Sequence, residues 1–169
     1  HRMSRKGTLP ANGALVKTIV TTDLQDIIAK SFNCSVDNVL TGFKWIALKM
    51  KEYELSGDKS FIFGGEESYG YLPLDFVRDK DAISSCYFFA EMADWLAENG
   101  GTLYEFLSSI YLKFGLYKED LLSITMKGID GMERIQAIMD LFRRSTPGEF
   151  GGVRVARIAD YITLEERDT

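Results

Sequence analysis

The stretch "FIFGGEESYGYL", residues 61–72, sets an apolar run against two glycines, two adjacent carboxylates, a serine and a Tyr-Gly-Tyr. With the two residues before it, the run reads as a strand, KSFIFGG over 59–65, closed by its glycines. In extended backbone successive side chains point to opposite sides, and residues two apart share one. Glu66 and Ser68 are therefore expected to face one ligand, with Glu67 turned away toward the scaffold. One carboxylate and one hydroxyl on glycine-flexed backbone suit the neighbouring hydroxyls of a sugar. The end of a strand is also where open α/β sheets bind ligands. The same composition equally suits a solvated acidic turn.

Working outward, ALVKTIVTT (14–22) reads as a strand, and DLQDIIAKSF (23–32) as a helix with Leu24, Ile27, Ile28 and Phe32 at helical spacing. NVL (38–40) is a short strand ending at Thr41-Gly42. FKWIALKMKEYE (43–54) is a helix with Phe43, Ile46 and Met50 on one stripe. Downstream, 81–101 and 102–115 read as helices opened by Asp81 and Thr102 and stopped by glycines. This alternation predicts an α/β fold, a mixed, largely parallel sheet flanked by helices. Beyond it, LLSITMKG (121–128) reads as a strand, GMERIQAIMDLFRR (131–144) as a helix, and VRVARIADYIT (153–163) as one further strand. The expected organisation is an N-terminal tail over 1–13, a main domain over 14–118, and a partial α+β unit over 119–169. His1-Arg2 ahead of Met3 reads as a remnant outside the domain.

Composition narrows the function classes. A net charge of -5 with a pI near 5.0 lacks the basic face that nucleic-acid binding requires. No apolar run reaches the roughly 18 residues of a membrane span, and no signal-peptide pattern opens the chain, so a cytoplasmic protein is expected. Cys34 and Cys86 have neither metal nor disulfide-framework spacing and read as two reduced, buried thiols. The one histidine is His1, which excludes a Ser-His-Asp triad, a histidine metal site and a histidine general base within the fold.

Three further stretches carry chemistry. In LTGFKWI (40–46), Thr41 and Gly42 stand at a helix entrance, where free backbone N–H groups and the positive dipole end can hold an oxygen-rich or anionic ligand. A plain Thr-Gly cap is the alternative. In FVRDKDA (76–82), Arg78 and Lys80 stand two apart. If extended, they share a side and bracket a phosphate; otherwise they belong to a solvated charge run. Lys17 sits inside an apolar strand, as a site residue or at the strand's edge.

In this order, "VKTIVTT", "TGFKWI", "GGEESYGY" and "VRDKDAI" resemble the third domain of the phosphohexose mutases, the family of phosphoglucomutase and phosphomannomutase. The resemblance runs from about residue 14 to the end. It implies that Glu66 and Ser68 hold adjacent sugar hydroxyls, that Thr41, Gly42 and Lys80 contact substrate, and that Lys17 lies near the active site. The Glu-Glu-Ser-aromatic-Gly wording of the loop is similar to phosphoglucomutases, including the bacterial and phosphopentomutase-like branch, which implies glucose 1-phosphate and glucose 6-phosphate as substrates of the parent; a phosphomannomutase- or phosphopentomutase-type parent, or a non-catalytic sugar-phosphate-binding module, is the alternative. It further implies an intramolecular phosphotransferase working through a phosphoserine, glucose 1,6-bisphosphate and Mg²⁺. The family's phosphoserine loop, metal loop and C-terminal phosphate clamp have no match here. The expectation is therefore a domain fragment, with no catalytic serine and no metal ligand, inactive alone and partnered by missing domains of the same chain. A hydrolase with Glu66 and Glu67 as its acid/base pair fits poorly. Such carboxylates need about 5–9 Å of separation across a ligand, and adjacent residues point apart.

Overall fold

The computed structural model describes residues 1–67, 70–120, 123–163 and 165–168. They form two compact units, His1–Glu119 and Asp120–Thr169.

The first unit opens with a helical turn, α1 (Arg2–Arg5), followed by β1 (Gly13–Thr18), α2 (Leu24–Ser31) and β2 (Ser35–Val39). Then come α3 (Phe43–Ser56), β3 (Ser60–Glu66), β4 (Gly70–Leu72), α4 (Ala82–Glu98) and α5 (Leu103–Phe114). The four strands lie in the order β2-β1-β3-β4. β1 pairs parallel with β2 and β3, and only the β3–β4 pair is antiparallel. The mixed, largely parallel sheet expected from the alternation is thus present. β4 went unread because it is three residues long and is followed at once by Pro73.

The core joins β1 to α3. Ala14 and Val16 meet Phe43, Ile46, Met50 and Tyr53, so the α3 stripe read from the sequence is the buried one. In α2 the expectation is only partly met: Leu24 is buried, whereas Ile27 is exposed. Both long helices begin as their caps predict. Asp81 accepts hydrogen bonds from the Ile83 and Ser84 N–H groups at 2.8 and 2.9 Å, and Thr102 with Glu105 forms a reciprocal capping box. Asp37 on β2 accepts hydrogen bonds from Tyr53 and from Lys59, the residue just before β3, clamping β2 to α3 and to the start of β3.

The second unit contains α6 (Gly128–Arg144) and two hairpins, β5 (Glu149–Phe150) with β6 (Val153–Arg154) and β7 (Arg157–Asp160) with β8 (Glu165–Asp168). Arg143 ties the helix to β7 through Asp160 at 2.8 Å. Two sequence expectations fail here. Residues 123–127 form no strand and lead directly into α6, with Leu121 and Leu122 outside the described residues. The single strand read over 153–163 is divided, because Val155 turns back to bond the Gly148 carbonyl at 2.9 Å and β7 pairs with β8 instead. The two cysteines also differ from expectation. Both are free, but only Cys34 is buried; Cys86 lies on the exposed side of α4.

Candidate functional site

Three parallel strands end at the same edge of the sheet, so the residues that follow them share a neighbourhood. Glu66 is the last residue of β3 and is only 5% exposed. Its Oε1 accepts the Gly42 backbone N–H at 2.6 Å, and its Oε2 accepts the Lys80 ammonium at 2.8 Å. Gly42 is the N-cap of α3 and has no capping side chain of its own; the carboxylate arrives from β3, across the intervening β1. A negative charge suits the positive end of that helix. The position requires glycine, because its φ is +119°. Thr41 sits exposed beside it.

Lys80 is held from both sides. Its N–H donates to Asp79 Oδ1 at 2.8 Å, and the next residue, Asp81, caps α4. The N–H groups of Ser84 and then Ile83 hold the Asp81 carboxyl below its ordinary range. Arg78 does not join Lys80 on a shared side. The chain bends at 78–79 instead of running extended, and the Arg78 guanidinium turns to Glu54 on α3. The expected phosphate bracket is therefore not assembled by these two residues.

Lys17 lies elsewhere in the bonding pattern. Its amine is 1% exposed and donates to the Thr21 carbonyl at 3.1 Å and to Asp23 Oδ1 at 3.2 Å. It also pairs with Asp26 Oδ2 at 3.1 Å. These contacts close the turn between β1 and α2 and leave the ammonium facing protein oxygens rather than solvent. The adjacent acids part, but in the sense opposite to the expectation: Glu66 is buried against protein donors and Glu67 is exposed. Glu67 makes no ion pair among the described residues, so its expected pairing with the scaffold does not occur. Ser68 lies outside the described residues.

The structure thus brings together Thr41, Gly42, Glu66 and Lys80 of the residues singled out in the sequence. What sequence reasoning missed is that both carboxylate oxygens of Glu66 are already engaged by protein donors. No local signal marks a contact between residues 24 positions apart. Two cavities, of about 470 and 610 Å³, lie along the 72–84 segment and between α1 and α4; Glu66 lines neither. Among the described residues no group of three or more His, Cys, Asp or Glu side chains is placed to hold a metal. No helix among them is long and apolar enough to cross a membrane.

An α/β unit with polar residues converging beyond the carboxyl ends of its parallel strands is a sheet of the open α/β class, with those residues where such sheets place their binding crevice. Residues 1–114 match the family description "Phosphoglucomutase/phosphomannomutase, alpha/beta/alpha domain III", and the chain belongs to that family. It is 37% identical over 157 residues to a phosphoglucomutase of Staphylococcus haemolyticus (strain JCSC1435), covering 93% of this chain and 28% of that protein. A phosphoglucomutase of Staphylococcus aureus (strain bovine RF122 / ET3-1) is 38% identical over 151 residues, covering 89% of this chain and 27% of that protein. Among solved structures, a putative phosphomannomutase from Thermus thermophilus superposes with a TM-score of 0.54 at 28% identity, over 75% of this chain and 28% of the other. The chain therefore spans little more than a quarter of the length of the curated relatives it matches.

Proposed function

We propose that this chain is the sugar-recognising part of a phosphoglucomutase-type enzyme that interconverts glucose 1-phosphate and glucose 6-phosphate. The observation that carries the reading is the convergence of the Gly42 N–H, the Glu66 carboxylate and the Lys80 ammonium at the edge where parallel strands end. A sugar hydroxyl both donates and accepts. Glu66 offers it the remaining lone pairs of its carboxylate, and Lys80 the N–H donors not spent on Glu66. Thr41 adds a hydroxyl partner beside Gly42, and Ser68 belongs to the reading through the sequence resemblance alone. Lys17 serves this reading as scaffold, holding the β1–α2 turn.

Phosphoryl transfer, the serine that carries the phosphoryl group, the Mg²⁺ and the bisphosphorylated sugar belong to the longer enzyme in this reading. The present residues supply orientation, not transfer chemistry, and the chain alone is inactive. A cytoplasmic location belongs to the same reading. A phosphomannomutase-type parent is the second reading, favoured by the likeness to the Thermus thermophilus structure.

Titration of glucose 6-phosphate and glucose 1-phosphate, followed by amide shifts, tests the site. Shifts gathered on Thr41, Gly42, Glu66 and Lys80 are expected. Shifts confined to other surfaces overturn the assignment. In the longer enzyme, Glu66→Gln and Lys80→Met should raise KM and lower turnover, and unchanged kinetics for both would sink the reading.

A further inference from the structure

We propose that Asp81 is a positioning residue for sugar recognition, fixing the backbone from which Lys80 reaches Glu66; the proposal rests on the sugar-binding reading above. Lys80 ends a segment, 73–80, that forms neither helix nor strand. An ammonium on a flexible four-carbon stem is a mobile donor, so its aim depends on where its backbone is held. Here the hold comes one residue later, and it uses all three polar groups of Asp81. The N–H donates to the Tyr71 carbonyl at 3.2 Å, an antiparallel bridge that ties the segment to β4. The carbonyl accepts the Ser85 hydroxyl at 2.6 Å and the Ser85 N–H at 3.2 Å. The carboxylate accepts the Ile83 and Ser84 N–H groups of α4. The Ser85 hydroxyl in turn accepts the Tyr71 N–H at 2.9 Å, closing the bridge from the α4 side.

Residue 70 makes this approach possible. A Cβ on Gly70 would stand 3.0 Å from the Asp81 carbonyl carbon and 3.1 Å from the Ala82 nitrogen, backbone atoms that cannot swing aside. Its φ of +137° is one that L side chains rarely adopt. Gly70 also pairs with Glu66 in the β3–β4 register. Glu66 and the Lys80 backbone therefore hang from adjacent residues of β4, Gly70 and Tyr71, and the ammonium meets the carboxylate at 2.8 Å. Charge alone does not choose that partner, because Arg78, in the same segment, goes to Glu54. A donor already held in place loses less freedom when a ligand arrives.

The nuclear Overhauser contact between the Lys80 and Glu66 side chains in this chain reads the position directly. It should be present in the parent chain and in Asp81→Asn, which keeps a good capping acceptor, and be lost in Asp81→Ala. A contact absent from the parent chain, retained in Asp81→Ala, or lost as fully in Asp81→Asn overturns the proposal. Should Asp81→Ala fail to fold, Ser85→Ala removes only the hydroxyl clasp and should weaken the contact; full strength there overturns it. In the longer enzyme, Asp81→Ala should raise KM for glucose 1-phosphate about tenfold, with Asp81→Asn restoring most of the loss. Because Asp81 acts through Lys80, it should add less than about twofold when Lys80→Met is already present. Independent, multiplying effects of the two substitutions overturn the proposal. A contact that depends on Asp81 while Lys80→Met leaves KM unchanged supports the positioning role and sinks the sugar reading instead.

Discussion

The Glu66 carboxylate, at the end of β3, caps α3 by accepting the Gly42 N–H at 2.6 Å, while its other oxygen holds Lys80 at 2.8 Å. A strand-end polar residue is expected to carry little packing, but this one is buried and joins two loops. Glu66→Ala should therefore destabilise this chain by about 2–3 kcal/mol, the scale of losing charge-assisted hydrogen bonds at a buried site. Glu66→Gln keeps one acceptor and should lose roughly half as much. Urea midpoints for the three proteins decide it. Coincident midpoints would show that the contact is not a stabilising one.

Gly64 lies where β3 meets the core. A Cβ there would stand 2.9 Å from Ile46 Cγ2 and 3.0 Å from Phe61 Cζ. Ile46 is fully enclosed, so it has nowhere to yield. Gly64→Ala should cost about 1–3 kcal/mol, as overpacking does. Gly148→Ala, with open space around it, is the control and should be neutral within about 0.5 kcal/mol. Thermal melts that place the two variants together would contradict the packing argument.

Lys17 brings a charge into the interior and spends it on Asp26 and Asp23. Lys17→Met removes that charge and leaves the buried Asp26 oxygen without its counter-ion. A loss on the order of 3 kcal/mol is expected. Asp26→Leu added to Lys17→Met should recover much of it, because the pair is then replaced by apolar side chains. Denaturant curves of the single and double variants measure the recovery. An unchanged single variant would mean that the ammonium is not the turn's anchor.

Asp37 predicts an acid-dependent contribution to stability. Burial pushes its carboxyl up, but the hydrogen bonds from Tyr53 and Lys59 together outweigh it, so it titrates below its ordinary 3.8. A depressed folded value stabilises the fold above the unfolded value and loses that stabilisation as pH falls through the folded one. The stability gap between the parent chain and Asp37→Asn should be full at pH 6 and narrow below about pH 4. A gap that stays constant to pH 2 would remove Asp37 from the account. Burial, followed by the Asp37 hydrogen bond, raises the Tyr53 hydroxyl above its usual value, so it stays protonated as the donor throughout.

The helices of the first unit were legible because their signals are local. The Asp81 cap, the Thr102 capping box and the Phe43-Ile46-Met50 stripe are each set by residues within a few positions of one another. The last strand failed for the opposite reason. Nothing in VRVARIADYIT tells Val153 to pair with Phe150 and Ile158 with Arg167, since each pairing depends on a partner outside the stretch. Arg78 shows the same limit. Its spacing from Lys80 suggested a shared side, but a bend at 78–79 and the presence of Glu54 decided where the guanidinium went.

By itself the sequence determined the alternating α/β order and the family, because periodicity and motif wording are written along one strand of chain. Only the tertiary structure decided that Glu66 would cap a helix 24 residues away, that Lys17 would be sealed against Asp23 and Asp26, and that Ile83, Tyr87 and Leu112 of α4 and α5 would be left exposed. Those outcomes depend on which strand lies beside which. Sheet order is a property of the packed molecule, in which β1 lies between β2 and β3 and brings their ends within reach of each other.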